Sequence, residues 1–273
     1  MNKNLIGLVG QIGVGKDEVG QMLIYMDSYD IPTFKHYCTG YVNLESSDIY
    51  QIKKYADKLK DIVCILIGCT RIDLENRLFK ETVLPNWTRY AANFVTPNLV
   101  SRTMYFSTNE EAHKAFGPDG DLNRFKSYKV KEEKMTPRKI LQLLGTECCR
   151  MQLHPDTWCM SLFNKYIEGD KWVVTDVRFP NNEGRFISER GGTLIGIKRE
   201  FGLRYPEYKF LEDENHSYKI PYGLHHENPE LYLTLSHESE FLIGECEWAD
   251  YVIENNGTLE DLFNNVLELY NSL

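Results

Sequence analysis

The chain has 273 residues, of which 42% are hydrophobic and 26% are charged, as in globular proteins that bury a full core. Its formal net charge of −9 argues against sequence-independent binding of nucleic acid, because such binding needs a basic face that displaces counterions. No apolar run approaches the roughly 20 residues of a membrane span, so no membrane partner is predicted.

The seven cysteines predict reduced thiols and therefore a cytoplasmic protein. Their number is odd, and no pair has the CxxC spacing of a zinc site or a redox motif. A zinc site built from cysteines is not expected.

The first predicted element is an apolar strand, Leu5–Val9, which leads directly into a GxxxxGK motif at 10–16. The three glycines of the motif let the backbone turn tightly and point its N–H groups inward. A helix predicted over 17–26 would add the attraction of its positive end for an anion. An incidental glycine-rich turn is the alternative, but the position directly after a strand favours a cradle for a nucleoside triphosphate.

Two residues at the end of this motif carry its chemistry. Lys16 is placed to reach the β- and γ-phosphates of a bound triphosphate. Asp17 stands where a serine or threonine normally serves as a Mg²⁺ ligand. A carboxylate beside a triphosphate needs a metal or a lysine to compensate its charge, so Asp17 is a candidate metal ligand.

The middle of the chain contains one clear helix and one unusual stretch. Residues 49–55 predict a short strand, and apolar positions at helical spacing predict a helix over 57–67. Residues 91–135 are rich in Asn, Thr, Gly and charge, which predicts an insertion or a mobile segment that covers a substrate. Thr136 and Pro137 then predict the start of a helix, as its N-cap and first helical residue.

The second half of the chain alternates strands and helices. Strands are predicted at 172–176, 193–197 and 251–253, and helices at 156–166 and 259–269. This order predicts a parallel sheet with helices on both faces and a ligand beyond the carboxyl ends of the strands, where the glycine-rich loop, Asp176 and 255–257 lie. The long polar stretch 198–244 is a candidate lid.

Asp176 closes an apolar strand, which suits a carboxylate that holds Mg²⁺ directly or through water. A helix N-cap or turn aspartate is the alternative, and the neighbouring phosphate motif favours the metal role. The His-Glu-Ser-Glu segment at 237–240 is a weaker metal candidate, since it also suits the solvated start of a lid helix.

Arginines near these elements are candidates for charge neutralisation, which phosphoryl transfer between two anions requires. They are Arg178, two residues beyond Asp176, together with Arg138 and Arg150. A single arginine is more often a solvated surface charge. Trp158 suits stacking on a base, although a core tryptophan is the alternative.

Several stretches, taken in chain order, carry a family resemblance. The most specific is LQLLGTE at 141–147, and the others are 10–17, 55–60, 79–81, 84–87, 136–140, 156–158, 176–179, 237–240 and 253–259. Together they resemble the deoxynucleoside monophosphate kinase family of tailed bacteriophages, within the P-loop nucleoside monophosphate kinase fold. The resemblance spans most of the chain and covers about half of it closely.

The resemblance implies transfer of the γ-phosphate of ATP to a deoxynucleoside monophosphate (dNMP), with Mg²⁺. It implies an ATP site formed by Gly10, Gly13, Val14, Gly15, Lys16, Asp17 and Glu18. It implies a substrate site formed by Ile12, Lys60, Lys80, Arg138, Gly145, Thr146, Arg150 and Trp158. The candidate catalytic residues are Lys16, Arg138 and Arg178, and the candidate metal ligands are Asp176 and Asp17.

Three departures from the family pattern stand out. Glu18 occupies a position where relatives commonly have a second small hydroxyl residue, and Lys58 replaces a frequent proline. The stretch 89–134 is longer than usual. The first departure, Glu18, weakens the expectation that the loop contacts the triphosphate and the metal as it does in relatives.

The sequence therefore predicts an α/β P-loop fold, with a parallel sheet flanked by helices. We expect a single kinase domain over 1–273, an insertion at 91–135 and a lid at 198–244. The expected partners are ATP and a dNMP, in the cytoplasm, or in the host cytoplasm if a phage encodes the chain. A homodimer stays open as an alternative to a monomer.

Two other functions stay open. A dephospho-coenzyme A kinase shares the GxxxxGK start and a late strand similar to 249–257, but Asp17 and the LQLLGTE stretch speak against it. A regulator that binds ATP without transferring phosphate would leave the acceptor-site residues without a purpose.

Overall fold

The computed structural model describes residues 4–40, 49–96, 100–116, 127–211, 220–221, 223–236, 243 and 246–273. The chain divides into two compact units. Unit 1 comprises Met1–Lys58 with Pro155–Leu273, and unit 2 comprises Leu59–His154.

Unit 1 is built on a five-stranded sheet whose strand pairs are all parallel. Its strands are β1 (Leu5–Val9), β2 (Gln51–Lys53), β6 (Trp172–Val177), β7 (Thr193–Lys198) and β8 (Tyr251–Glu254), in the order β2-β6-β1-β7-β8. Unit 2 contains β3 (Thr88–Val95), β4 (Ser101–Phe106) and β5 (Ser127–Lys134), in an antiparallel sheet with β3 in the centre.

The α-helices of the described residues are mostly short. They are α1 (Lys16–Ser28), α2 (Phe34–Tyr37), α3 (Ala56–Ile67), α4 (Arg71–Glu75), α5 (Arg77–Glu81), α6 (Asn109–Phe116), α7 (Pro137–Gln142), α8 (Thr157–Phe163), α9 (Arg185–Ser188), α10 (Phe201–Arg204), α11 (Leu224–Glu227), α12 (Pro229–Leu235) and α13 (Leu259–Ser272). Two π-helical segments, Leu143–Leu153 and Pro180–Gly184, and a 3₁₀ segment, Pro206–Leu211, complete them.

The parallel sheet flanked by helices confirms the predicted α/β fold class, which is consistent with a P-loop fold. Its central strands are continuous apolar runs because both faces are covered. Apolar side chains of β1, β6 and β7 pack with residues of α1 and α13 in one core, represented by Ile6, Val173, Ile195, Met22 and Phe263. This burial fixes the carboxyl ends of β1 and β6, where the candidate site begins.

The strand predicted at 49–55 is shorter in the structure, at Gln51–Lys53. It ends early because the backbone N–H groups of Tyr55 and Ala56 donate to the Asp176 carboxylate. An aspartate at the end of β6 therefore sets the start of α3.

The antiparallel sheet of unit 2 was not predicted. Five of the eight residues of β5 are charged, and five of the six residues of β4 are exposed, so neither strand shows a clear alternation of apolar and polar residues. Ala92 and Phe94 of β3 are buried beside Phe106 and Val130. This sheet occupies much of the stretch 91–135, whose role as an insertion stays a prediction.

The helix predicted after Thr136 begins as expected. The Thr136 side chain accepts a hydrogen bond from the Lys139 backbone N–H, and Pro137 occupies the first turn. After Gln142 the helix continues as the π-helical segment Leu143–Leu153, at the end of which the His154 N–H donates to the Cys149 carbonyl, five residues back, at 2.9 Å. Segments of this kind are frequent at functional sites.

Within the part of the chain that the structure describes, no helix is long and apolar enough to cross a membrane.

Candidate functional site

The glycine-rich loop between β1 and α1 has a backbone that only glycine adopts easily. Gly13 and Gly15 have φ values of +81° and +99°, in the left-handed region. At Gly10, a Cβ atom would lie 2.7 Å from the Ile197 carbonyl oxygen, so a side chain is excluded there. These constraints hold the loop in a tight turn at the amino end of α1, where helices attract anions.

Lys16, the first residue of α1, folds back over this loop. Its Nζ donates to the carbonyl oxygens of Gly10 and Gln11, at 2.5 and 2.8 Å. The ammonium group is therefore held at the loop by backbone carbonyls, which a phosphate oxygen could replace as its partners.

Asn255 directly follows β8, two strands away from β1 in the sheet, and supports the glycine-rich loop. Its side-chain N–H donates to the Val14 carbonyl at 2.9 Å, and its backbone N–H donates to the Lys198 carbonyl at 2.7 Å. The side chain is only 6% exposed. The sequence predicts that 255–257 lie at this edge of the sheet but does not predict this role for Asn255.

Part of the predicted lid also reaches the loop. Arg204, at the end of α10, donates from Nη1 to the Ile12 carbonyl at 3.2 Å. This contact places one end of the stretch 198–244 against the glycine-rich loop. Residues 237–240, the weaker metal candidate, lie outside the described residues.

Asp17 forms an ion pair that the sequence did not predict. Its Oδ1 lies 2.6 Å from the Lys54 Nζ and accepts a hydrogen bond from the Thr175 hydroxyl at 3.0 Å. Burial by itself would raise the pKa of Asp17, but the hydrogen bond and charge of Lys54, with Thr175 and Lys16, outweigh it and lower the pKa. Asp17 is thus an oriented carboxylate beside Lys16.

Asp176 lies at the carboxyl end of β6 and binds backbone N–H groups with both oxygens. Oδ1 accepts from Tyr55 at 2.8 Å and Oδ2 accepts from Ala56 at 3.0 Å. Burial raises the pKa of this carboxyl, and the two N–H groups with Arg178 and Lys54 oppose the rise only in part. This is the helix-start role weighed as the alternative in the sequence analysis, and metal binding by Asp176 stays a prediction.

Two glutamates also organise this unit. The Glu18 carboxylate accepts a hydrogen bond from the Tyr37 hydroxyl at 2.6 Å, which directs that side chain toward α2. Glu183, buried and not predicted, accepts from the backbone N–H groups of Arg178 and Phe179 at 2.7 and 3.2 Å. Glu183 therefore fixes the turn that carries Arg178.

Trp158, on α8, is buried and 5% exposed. This burial agrees with the core tryptophan that was the alternative to base stacking. Its proposed contact with a substrate base stays a prediction.

In unit 2, three predicted substrate-binding cations converge from three helices. Lys60 on α3 donates to Glu75 Oε1 at 2.5 Å, and the Lys80 Nζ on α5 lies 3.8 Å from Glu75 Oε2. Arg138 on α7 forms an ion pair with Glu81. Burial lowers the pKa of Lys80, and the positive charges of Lys60 and Arg138 lower it further.

The other predicted substrate residues of unit 2 lie on the π-helical segment Leu143–Leu153, which carries Gly145, Thr146 and Arg150. At Gly145 a Cβ atom would lie 2.8 Å from the Leu59 side chain. Because Gly145 has no side chain, this segment can approach α3 at Leu59, the residue that precedes Lys60.

No cluster of three or more His, Cys, Asp or Glu side chains suited to a metal ion occurs among the residues whose placement is described. Asp17 and Asp176 are the carboxylates that the sequence predicts as metal ligands. A magnesium ion bound mainly by nucleotide phosphates needs only one or two protein carboxylates.

Comparison with known proteins gives one distant relationship. No family model matches the chain. A deoxynucleoside-5'-monophosphate kinase of Escherichia phage T5 is 25% identical over 201 residues, which are 68% of this chain and 72% of the phage protein. The relationship supports a nucleotide kinase, and hence a phosphotransferase, as the class of protein.

Proposed function

We propose that the chain is a Mg²⁺-dependent kinase that transfers the γ-phosphate of ATP to a dNMP and forms the diphosphate. The observation that carries the proposal is the convergence of Lys60, Lys80 and Arg138 in a chain that also has a glycine-rich phosphate loop. A nucleotide kinase needs one anion site for its donor and a second for its acceptor. The distant phage relative supports the same reaction class.

In the donor site, the N–H groups of the loop 10–15 bind the phosphates of ATP, and Lys16 exchanges its carbonyl partners for phosphate oxygens. The left-handed glycines keep these N–H groups in place before the nucleotide arrives. Arg204, which donates to the Ile12 carbonyl, connects the lid to this loop, so that closure of 198–244 excludes water.

Magnesium fits the donor set because Asp17 offers a hard oxygen ligand next to Lys16. Lys54 and Thr175 already orient this carboxylate and keep it ionised. Asp17 would hold the ion, with Asp176 as a second carboxylate through water. A bound ion would supply positive charge that neutralises the triphosphate.

In the acceptor site, Lys60, Lys80 and Arg138 bind the phosphate of the dNMP. Arg150 and Thr146 of the π-helical segment also bind the dNMP, and Trp158 contacts its nucleobase. An oxygen of this phosphate forms a bond to the γ-phosphorus of ATP. The bond from that phosphorus to the bridging oxygen breaks, and ADP leaves with the electron pair. Arg138 and Arg178 neutralise the charge of the transferring group.

An assay of ADP release with a panel of acceptors tests the proposal. The purified protein is given ATP, Mg²⁺ and, one at a time, each common dNMP, each ribonucleoside monophosphate and dephospho-coenzyme A. We expect ADP release that depends on a dNMP. Release with dephospho-coenzyme A alone would support the first alternative, and ATP binding without any release would support a regulator.

A further inference from the structure

Glu75, the last residue of α4, lies among three positively charged side chains. Lys60 donates to its Oε1 at 2.5 Å, the Arg71 Nη2 lies 3.6 Å from the same oxygen, and Lys80 approaches Oε2 at 3.8 Å. One carboxylate group therefore receives cations from α3, α4 and α5, in the way that a phosphate receives several cations in a binding site.

The Glu75 carboxylate is shared by cations that have different other partners. Lys60, Arg71 and Lys80 contact it, and Arg71 also pairs with Asp61 at 2.9 Å. If Glu75 left the cluster, each of these cations would lose a carboxylate contact. A phosphate monoester, which carries a charge of about −1.5 to −2 near neutral pH, supplies at least the charge that Glu75 withdraws.

The exposures of the side chains show which partner is free to leave. The side chains of Lys60 and Lys80 are 17% and 19% exposed, whereas that of Glu75 is 51% exposed. Glu75 ends a helix of five residues, so its side chain can turn into solvent without breaking a long element. Ion pairs of such exposure contribute little stability, so their loss costs little.

We propose that the Glu75 carboxylate is a stand-in for the phosphate of the acceptor nucleotide, which displaces it, and that Arg71 is a fourth cation of that phosphate site. The proposal rests on the proposed function for the identity of the acceptor, and it assigns binding roles to two residues outside the predicted set. The Glu75 carboxylate thus pairs with the cations when no acceptor is bound, and the phosphate of the acceptor competes with it for them.

Binding of inorganic phosphate to the full-length protein tests this proposal. Isothermal titration and thermal unfolding are measured for the wild type, Glu75→Gln and Arg71→Gln. Glu132→Gln is the matched control, since Glu132 is an exposed carboxylate of unit 2 that lies near a lysine. All are repeated in a Lys16→Ala background, in which phosphate binding at the glycine-rich loop is weakened.

We expect Glu75→Gln to bind phosphate at least about threefold more tightly, because the internal competitor is gone. Without phosphate its melting temperature falls only slightly, because such exposed ion pairs contribute little, and phosphate restores it. Arg71→Gln weakens phosphate binding, and Glu132→Gln changes neither property. Glu75→Asp, which keeps the charge on a shorter side chain, lies between the wild type and Glu75→Gln.

Unchanged phosphate affinity in Glu75→Gln, or a lower melting temperature that phosphate does not restore, would overturn the proposal and leave Glu75 as an ordinary ion pair. Unchanged affinity in Arg71→Gln would overturn the assignment of Arg71. Neither result depends on turnover. A protein that binds phosphate as expected but phosphorylates no dNMP would contradict the proposed function and not this inference.

Discussion

In the proposed function, the glycine-rich loop of unit 1 and the cation cluster of unit 2 (Lys60, Arg71, Lys80 and Arg138) each bind a phosphate, but they are built in two different ways. The loop relies on backbone N–H groups held by left-handed glycines, and carbonyl oxygens of the same loop accept hydrogen bonds from Lys16. The cluster relies on side chains, and full carboxylates neutralise it. A backbone site carries only partial charges, whereas a cluster of cations needs counter-ions until its ligand arrives.

This difference decides how each region is encoded. The loop motif consists of seven consecutive residues, 10–16. The cluster is assembled from distant residues, and the Arg138 and Glu81 pair alone is separated by 57 positions. A motif therefore reveals the first region, and only the folded unit reveals the second.

Lys16→Ala tests the loop, and we expect the largest effect there. Loss of a cation that contacts the transferring phosphate lowers turnover at least a hundredfold, or about 2.7 kcal/mol. The Lys16 side chain donates to carbonyl oxygens of its own loop and does not belong to the apolar core, so we expect the circular dichroism spectrum to stay that of the wild type. ADP release under saturating ATP and dNMP measures the effect.

Lys35→Ala is the control for this substitution, since Lys35 is an exposed lysine of unit 1. It leaves turnover unchanged. Near-normal turnover of Lys16→Ala with an intact spectrum would mean that the loop does not hold the triphosphate.

Arg138→Met tests the cluster. Its expected effect is smaller, because Lys60 and Lys80 remain beside the acceptor phosphate. We expect kcat/KM for the dNMP to fall about tenfold, in line with the loss of one charge-assisted contact. The affinity for ATP, measured separately by titration, stays the same.

Lys134→Met is the matched control, because Lys134 is a solvent-exposed cation of the same unit. A loss of ATP affinity in Arg138→Met with an unchanged KM for the dNMP would reverse the assignment of the two phosphate regions.

Local patterns predicted the parallel sheet well, since buried strands are apolar runs that end at recognisable turns. Leu5–Val9 has the predicted bounds, and β6, β7 and β8 each differ by one residue at one end. The antiparallel sheet of unit 2 could not be predicted in this way, because its strands β4 and β5 are largely exposed or charged. The π-helical segment 143–153 likewise has no simple sequence signature.

The candidate site was predictable to the extent that it is local. The loop and Lys16 follow from one motif, but the partners of Asp17 and Asp176 come from tertiary packing. Lys54 reaches Asp17 across 37 positions of sequence, and no spacing rule joins them. The same reason explains why Asn255, Glu183 and Glu75 were not predicted as parts of the site.

The Asp17 and Lys54 pair gives the third test, since it is a full ion pair at the end of the glycine-rich loop. Asp17→Asn removes the carboxylate, and we expect the Mg²⁺ concentration for half-maximal activity to rise several-fold. Lys54→Met removes a cation that competes for Asp17, so this concentration falls about two- to threefold. Titration of Mn²⁺ onto the protein with ATP measures metal binding apart from turnover.

Lys53→Met is the neighbouring control, because the Lys53 ammonium lies over the Trp172 ring and not at Asp17. A rise in the metal requirement of Lys54→Met would show that Lys54 supports the metal site and does not compete with it. Asp17→Ser, which restores the ordinary motif, is expected to retain activity.

Glu133 gives the fourth and smallest effect, since it is a carboxylate of unit 2 that also meets two cations but belongs to the antiparallel sheet. Its Oε2 lies 2.9 Å from Arg89 Nε and 3.2 Å from Lys139 Nζ, and Arg89 is its cross-strand partner. If Glu75 occupies a ligand site, Glu133, which belongs to the sheet, should instead contribute to stability and not to substrate binding. Glu133→Gln is expected to lower the free energy of unfolding by about 1 kcal/mol at pH 7 and to leave dNMP phosphorylation unchanged.

The pH dependence of this loss distinguishes an ion pair from simple packing. Burial would raise the pKa of Glu133, but the hydrogen bonds and charges of Arg89 and Lys139 outweigh it and lower the pKa below its ordinary value. The folded state then binds a proton less readily than the unfolded chain, so the stabilisation is complete above roughly pH 4.3 and disappears as the pH falls through the lower folded value. Urea unfolding of the wild type and Glu133→Gln at pH 7, 5 and 3 should give nearly the same difference at the first two values, which lie above the ordinary glutamate pKa of about 4.3, and a smaller difference at the third. A difference that stays the same on acidification would mean that the charge of Glu133 does not cause it, because a protonated glutamic acid can no longer form ion pairs with Arg89 and Lys139.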